Sequence, residues 1–306
     1  MSVLSAPHFH DEATAYAFVE ARLWPNGAVC PRCGSLDRIG KLGGKSTRMG
    51  VYKCYSCRKP FTVKIGTVFE DSKISMTVWL QAIFMIAGSK KGVSSNQLHR
   101  MLGITLKSAW FLSHRIREAM TDKDAAIFDG MDGQVLADET FIGNKAGIER
   151  ARGGFRHKMK VISLLDKETG RARSIHVAEI EPNEVANIVR ENVARDSILV
   201  TDEARHYWAV GREFTEHRRV FHGIGNYSKD GFSTNQIEGY FSIFKRGMRG
   251  IYQWCSERHL HRYLAEYDFR YSNREAVGFN DTDRTDELLR GVVGKRLTYG
   301  RIGKGR

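Results

Sequence analysis

Gly133-Gln-Val-Leu-Ala-Asp-Glu-Thr-Phe-Ile142 is a largely apolar run of strand length that carries an acid, Asp138. A second run, Ser197-Ile-Leu-Val-Thr-Asp202, ends on another acid. A third stretch, Ser233-Thr-Asn-Gln-Ile-Glu-Gly-Tyr-Phe-Ser-Ile-Phe-Lys245, has helical periodicity and carries Glu238. Carboxylates from three separated segments suit a pair of hard divalent cations, which take oxygen ligands and stabilise both attacking and leaving oxygens in phosphoryl transfer. Taken singly, each acid has an ordinary reading as well: strand-end capping or turn chemistry for the two Asp residues, a solvated helical carboxylate for Glu238.

The third stretch says more than its spacing. Ile237, Tyr240, Phe241, Phe244 and Met248 form an apolar stripe for a core, while Glu238, Ser242, Lys245 and Arg249 recur on a neighbouring face. One carboxylate and two cations in line suit a metal beside a phosphate backbone. His222, at the end of the strand expected over 217–222, either orients water or contacts phosphate, or is structural.

Outward from these segments, periodicity predicts strands over Val135 to Ile142, Lys158 to Leu165 and Arg171 to Ala178, with Lys167-Glu-Thr-Gly170 as a hairpin turn. A helix over Asn183 to Ala194 and strands at 197–201 and 217–222 follow. A three-strand meander continued by helix and strand predicts an α/β fold with a mixed sheet of ribonuclease H type.

Upstream, Cys30-Pro-Arg-Cys33 and Cys54-Tyr-Ser-Cys57 are separated by twenty residues. A two-residue gap lets one turn aim two thiolates at one ion, and two such turns make a closed, structural zinc site of four cysteines. Paired disulfides are the other reading, disfavoured in a reducing cytoplasm. Lys53 and Arg58 flank the second pair and are expected to lower its thiol pKa values. Cys255 stands alone and reads as a small buried apolar residue. Asp11 caps a helix reaching Leu23, which Trp24-Pro-Asn-Gly27 ends, and Lys41, Lys45, Arg48, Lys53, Arg58 and Lys59 make the ribbon basic.

Between ribbon and sheet, Trp79, Ile83 and Ile86 share a helix face; Ser95 to Leu102 forms a short helix, Gly103-Ile-Thr a turn, and Leu106 to Met120 a longer helix. This is the pattern of a helix-turn-helix, with Lys107, Ser108, His114, Arg115 and Arg117 as candidate DNA contacts, or of plain helix packing. The 306-residue chain has a net charge of +13 and a pI near 9.6, which favours a polyanionic partner. Its longest apolar stretch, Met76 to Gly88, is too short to span a membrane, and the first residues lack a secretory signal, so a cytoplasmic protein is expected.

Together, Trp24-Pro-Asn-Gly-Ala-Val-Cys-Pro-Arg-Cys-Gly34, Ala137-Asp-Glu-Thr-Phe-Ile-Gly143, Val200-Thr-Asp202, Ser233-Thr-Asn-Gln-Ile-Glu-Gly239 with Lys245-Arg-Gly247, and His259-Leu-His-Arg-Tyr263 with Phe269-Arg-Tyr271 resemble bacterial transposases of the insertion-sequence 1595 family, members of the DDE transposase and retroviral integrase-like superfamily. The resemblance implies a ribonuclease H-like core with the first and fourth strands side by side, magnesium-dependent strand cleavage and transfer, and recognition of terminal inverted repeats. It assigns Asp138, Asp202 and Glu238 as ligands of a pair of Mg²⁺ ions and Lys245 as the basic residue seven positions beyond the Glu. Some members carry Asn in the third acidic place, and Asn235 lies one helical turn before Glu238; an anionic oxygen binds Mg²⁺ better than an amide, which favours Glu238.

The expected organisation is an N-terminal helix and zinc ribbon over 1–70, a helix-turn-helix-like segment over 71–125, a catalytic domain over 126–280 and a basic tail over 281–306. Lys245, Arg246, Arg249 and the tail are expected to hold DNA, and two ends acting together imply a homodimer or larger assembly. Two other functions fit the same residues: a DNA-binding regulator with an inactive fold, and a nuclease or resolvase without strand transfer.

Overall fold

A computed structural model describes residues 2–121, 128, 133–149, 153–220 and 232–298. It divides into two compact units, Met1–Thr121 with Phe279–Arg306, and Asp122–Gly278.

In the first unit, α1 (Glu12–Leu23) starts where Asp11 accepts the Thr14 amide at 2.7 Å, and it stops at Trp24 ahead of Pro25. Its buried side is Ala15, Val19 and Glu20, whereas Ala13 and Ala17 face out. Three short antiparallel strands follow in sheet order, β1 (Ile39–Lys41), β2 (Tyr52–Cys54) and β3 (Pro60–Phe61). Trp24, Tyr52 and Phe61 pack their rings beside them. Next, α2 (Met76–Gly88) begins at a Ser75 cap, and the Glu12 carboxylate accepts the amides of Met76 and Thr77 at 2.7 and 3.0 Å, an anion on a helix N-terminus. Trp79, Ile83 and Ile86 are fully buried, as the periodicity predicts. α3 (Ser95–Leu102) and α4 (Leu106–Met120) pack on each other across Gly103, whose φ of 63° is the left-handed conformation that lets the turn close.

The second unit is built on a five-stranded mixed sheet. β4 (Gln134–Ile142), β5 (Met159–Asp166) and β6 (Ala172–Val177) form the antiparallel meander. At its hairpin the Asp166 carboxylate accepts the amides of Glu168 and Thr169, both at 2.9 Å, and Gly170 turns at φ 70°. After α5 (Pro182–Asn192), β7 (Ile198–Thr201) lies parallel to β4. The short α6 (Trp208–Gly211) leads to β8 (Glu216–Arg219), parallel to β7. Sheet order is β6-β5-β4-β7-β8, so the first and fourth strands are neighbours, the ribonuclease H-like arrangement. Each face has its own core. Val135, Ala137, Ile162, Leu164 and Leu199 point toward α5 and Tyr207. Leu136, Ile142, Met159, Val161, Leu165 and Val200 point toward α7 (Asn235–Gly247) and α8 (Glu257–Ser272). The α7 stripe Ile237, Tyr240, Phe241, Phe244 and the following Met248 fills the second core, with Cys255 buried in it.

The chain then returns to the first unit. Residues expected in a basic tail form α9 (Asp281–Arg290), because Asn280 and Asp283 build a capping box and Leu288 and Leu289 bury an apolar side against α1 and α2. Lys295 donates to the Ala119 carbonyl at 3.0 Å, a cation on the C-terminus of α4, and Arg296 pairs with Asp71 at 2.6 Å. Among the described residues no helix is long and apolar enough to cross a membrane.

Candidate active site

Strand alternation and register bring the two Asp residues together. Ala137 is paired with Thr201 in the parallel β4–β7 ladder, so Asp138 and Asp202 occupy the next positions of neighbouring chains. Asp138 is two residues from Leu136, and Asp202 two from Val200; both of those point into the core beneath α7, so both acids fall on that side of the sheet. α7 packs on β4 and β5 through its stripe, and Glu238 follows the buried Ile237 at the exposed edge of that contact. The juxtaposition registers electrostatically. Burial, then Glu139, Asp202 and Glu238, push the Asp138 carboxyl up to about 8. Lys245, half-buried over the Phe241 ring, is lowered by burial and raised in opposition by Asp138.

Each acid is held by its own chain. Asp138 Oδ1 accepts the Glu139 amide at 2.7 Å, Asp202 Oδ1 accepts the Ala204 amide at 3.0 Å, and Glu238 Oε1 accepts the Thr234 hydroxyl at 3.0 Å. Behind the sheet lies a brace that sequence reasoning missed. Glu139 faces the opposite side from Asp138 and accepts from His206 Nε2 at 3.1 Å and from the Tyr207 hydroxyl at 3.2 Å. It thereby ties the segment after Asp202 to the residue after Asp138. The signal was present in the period of two, which sends adjacent acids to opposite faces, but nothing in the sequence marks His206 and Tyr207 as their partners.

Carboxylate oxygens are the donors that hard divalent cations take. Asp202 and Glu238 both lie near enough to Asp138 to raise its carboxyl, and a cation bound there would relieve that repulsion. The three carboxylates do not draw as close as the four thiolates of the ribbon, the His/Cys/Asp/Glu group among the described residues whose ligand atoms all lie within 4.8 Å.

Asn235 opens α7 and is exposed; Arg246 and Arg249 are exposed on the same element and just beyond it. His222 lies outside the described residues.

The cysteines converge as the spacing predicts. Cys30 and Cys57 sulfurs are 3.7 Å apart, as are those of Cys33 and Cys54. All four are free thiols, far beyond disulfide length. A tetrahedron with Zn–S bonds of about 2.3 Å has edges of about 3.8 Å, so the set fits zinc. The Cys54 thiol is brought down to about 6, chiefly by the Cys57 amide and with help from the Ser56 amide and neighbouring thiols. Backbone donors, rather than Lys53 and Arg58, carry that shift.

Three of the candidate contacts on α4 are buried. His114, Arg115 and Arg117 are 2%, 5% and 1% exposed. His114 packs against Trp110, Arg115 donates to the carbonyls of Glu70 and Leu297, and Arg117 donates to Ser113. They fasten α4 to its surroundings. Lys107 is exposed in the first turn of α4, and Ser108 exchanges hydrogen bonds with the Thr105 cap.

Comparison with known proteins closes the case for the family. Residues 130–272 match the ISXO2-like transposase domain, and residues 10–60 match the transposase zinc-ribbon domain. A protein in the transposable element ISH50 of Halobacterium salinarum is 24% identical over 267 residues, covering 81% of this chain and 86% of the relative. Among solved structures, a chain of the simian T-cell lymphotropic virus intasome in complex with PP2A regulatory subunit B56 gamma aligns with a TM-score of 0.30 at 12% identity, covering 56% of this chain and 63% of that one. The Drosophila P element transposase strand transfer complex gives 0.29 at 8%, covering 72% and 64%. The Mos1 mariner paired end complex with Mn gives 0.21 at 11%, covering 63% and 76%. This chain thus spans less than two thirds of the first two. With a zinc ribbon and a transposase domain of one family in their expected order, the chain belongs to the insertion-sequence 1595 family of transposases.

Proposed function

We propose that the protein binds the terminal inverted repeats of its insertion sequence and catalyses divalent-cation-dependent cleavage and strand transfer at their ends. The observation that carries this reading is the neighbouring placement of Asp138 in β4 and Asp202 just past the end of β7, on the side of the sheet covered by the helix of Glu238 and Lys245. Asp138, Asp202 and Glu238 would hold Mg²⁺, with Glu238 preferred over the neutral Asn235 as third ligand. When bound, the ions supply Lewis acidity to the attacking and leaving oxygens of an in-line displacement.

The chain's own groups do the rest. Lys245, on the same helix as Glu238 and near enough to Asp138 to feel its charge, would grip a phosphate beside the reacting one. The Glu139–His206–Tyr207 brace keeps the two Asp-bearing segments in register. Arg246 and Arg249 extend the cationic edge along the DNA, and Lys107 with Ser108 offers the first turn of α4 to a groove. No side chain is needed as a nucleophile: water attacks at the first step and the freed 3′-OH at the second. A zinc-loaded ribbon adds phosphate contacts, and joining two ends calls for at least two copies acting together in the cytoplasm.

Incubation of the protein and Mg²⁺ with duplexes carrying the element ends tests this. Joined end–target molecules are expected. Nicks without joining would reassign the protein as a nuclease or resolvase, and end binding without any cutting would make it a regulator.

A further inference from the structure

Two of the three elements that carry the carboxylates run on into one cavity of about 530 Å³. β4 leaves the sheet at Ile142 and contributes Asn144; α7 runs through the π-helical turn Met248–Tyr252 into Trp254. The start of α8 adds Ser256, Arg258 and His261, and β6 adds His176.

Trp254 is 66% exposed, the most exposed large hydrophobic side chain among the described residues. It is presented by a strained backbone. Gln253 sits at φ 61°, ψ −45°, and the Trp254 amide donates to the Tyr252 carbonyl at 2.6 Å, which makes a γ-turn of the rare positive-φ kind. A π-helical turn precedes it directly, another irregularity that recurs at functional sites. The core needs none of this, since Met248 and Cys255 are buried on either side while the indole between them points to water.

The surroundings suit a nucleotide. An exposed indole offers a flat face for stacking, worth most to a base that has left its pair. Arg258, His261 and the opening amides of a sixteen-residue helix suit a phosphate. The acid in the wall, Glu257, faces the Lys145 ammonium at 3.8 Å, with His176 Nε2 at 3.2 Å. Asp138 to Ile142 spans about 13 Å at ~3.3 Å per residue, so DNA lying along β4 would bring a nucleotide roughly four stacked steps from the reacting phosphate to the edge of this cavity.

We propose that the Trp254 cavity captures one unpaired nucleotide of the processed DNA strand, its base stacked on the indole and its phosphate held by Arg258, His261 and the start of α8. This rests on the DNA-processing function above. The test uses the full-length protein and two fluorescent duplexes of one end sequence, one blunt and one with a short single-stranded extension that contains 2-aminopurine. Wild-type protein should quench the 2-aminopurine. Trp254→Ala should abolish the quenching and weaken binding of the extended duplex about tenfold while leaving the blunt one within twofold, and Trp254→Phe should restore most of the loss. Affinity unchanged in Trp254→Ala, affinity lost equally for both duplexes, or no quenching by the wild type would overturn the inference while leaving the transposase reading standing. Failure of the wild type to bind either duplex would overturn both.

Discussion

Asp138 is a carboxyl that the fold holds against its preference to ionise. Its folded value near 8 exceeds the ordinary 3.8, so its contribution to stability is present below about pH 4 and lost as pH rises through about 8. Asp138→Asn should therefore stabilise the metal-free protein at pH 8, on the order of 2 kcal/mol once solvent screening of a partly buried group is allowed for, while Mg²⁺ should raise the melting temperature of the wild type only. Calorimetry with and without Mg²⁺ checks both; a destabilised variant, or equal Mg²⁺ responses, would remove Asp138 from the site. Asp268 makes a second case away from the ligands. Burial raises it to about 6 although it accepts from the Tyr240 hydroxyl at 2.6 Å and from the Ser174 amide at 2.8 Å. Stability should fall by up to roughly 3 kcal/mol as pH rises from about 4 through about 6, and denaturant titrations should show that slope shrink in Asp268→Asn. The three acids were legible because each stands at a break in an apolar pattern. Glu139, His206 and Asp268 were not, because their roles depend on partners that only the folded chain brings near.

Helices and strands were the most readable part of the chain. The Ser95–Leu102 and Leu106–Met120 helices and the intervening Gly103 turn follow from capping residues and periodicity, and every residue of the predicted apolar stripe from Ile237 to Met248 is buried. Side-chain direction was less readable: basic residues on α4 look alike in sequence, yet Arg115 and Arg117 point inward to carbonyl and hydroxyl acceptors. The two kinds should separate on mutation. Lys107→Ala should leave the melting temperature unchanged, weaken DNA binding several-fold and reduce the slope of log affinity against log salt by about 1. Arg117→Ala should instead cost about 2–4 kcal/mol of stability. Thermal melts and salt-dependent binding assays distinguish them, and the reverse pattern would make α4 a recognition helix along its whole length.

The whole chain divides into two units joined by its own return: the segment from Phe279 onward goes back to the N-terminal unit. In sequence, 281–306 reads as a basic tail because its Lys and Arg residues outweigh a short capping box and one Leu pair, the two signals that fold α9. Zinc should matter to one unit only. Chelation of the full-length protein should shift a calorimetric transition from the N-terminal unit and leave a second, zinc-independent transition from residues 122–278 in place. A single transition that moves as a whole would deny that independence.

The most direct measurement compares wild type, Asp138→Asn, Asp202→Asn and Glu238→Gln for cleavage of end-containing duplex in Mg²⁺, with binding of the same duplex followed in parallel. If these oxygens hold the ions, each variant binds the ends with affinity within a few-fold of wild type and cuts at least about a thousandfold more slowly, the several kcal/mol that metal ligation contributes. Undiminished cutting by either Asp variant would contradict the site.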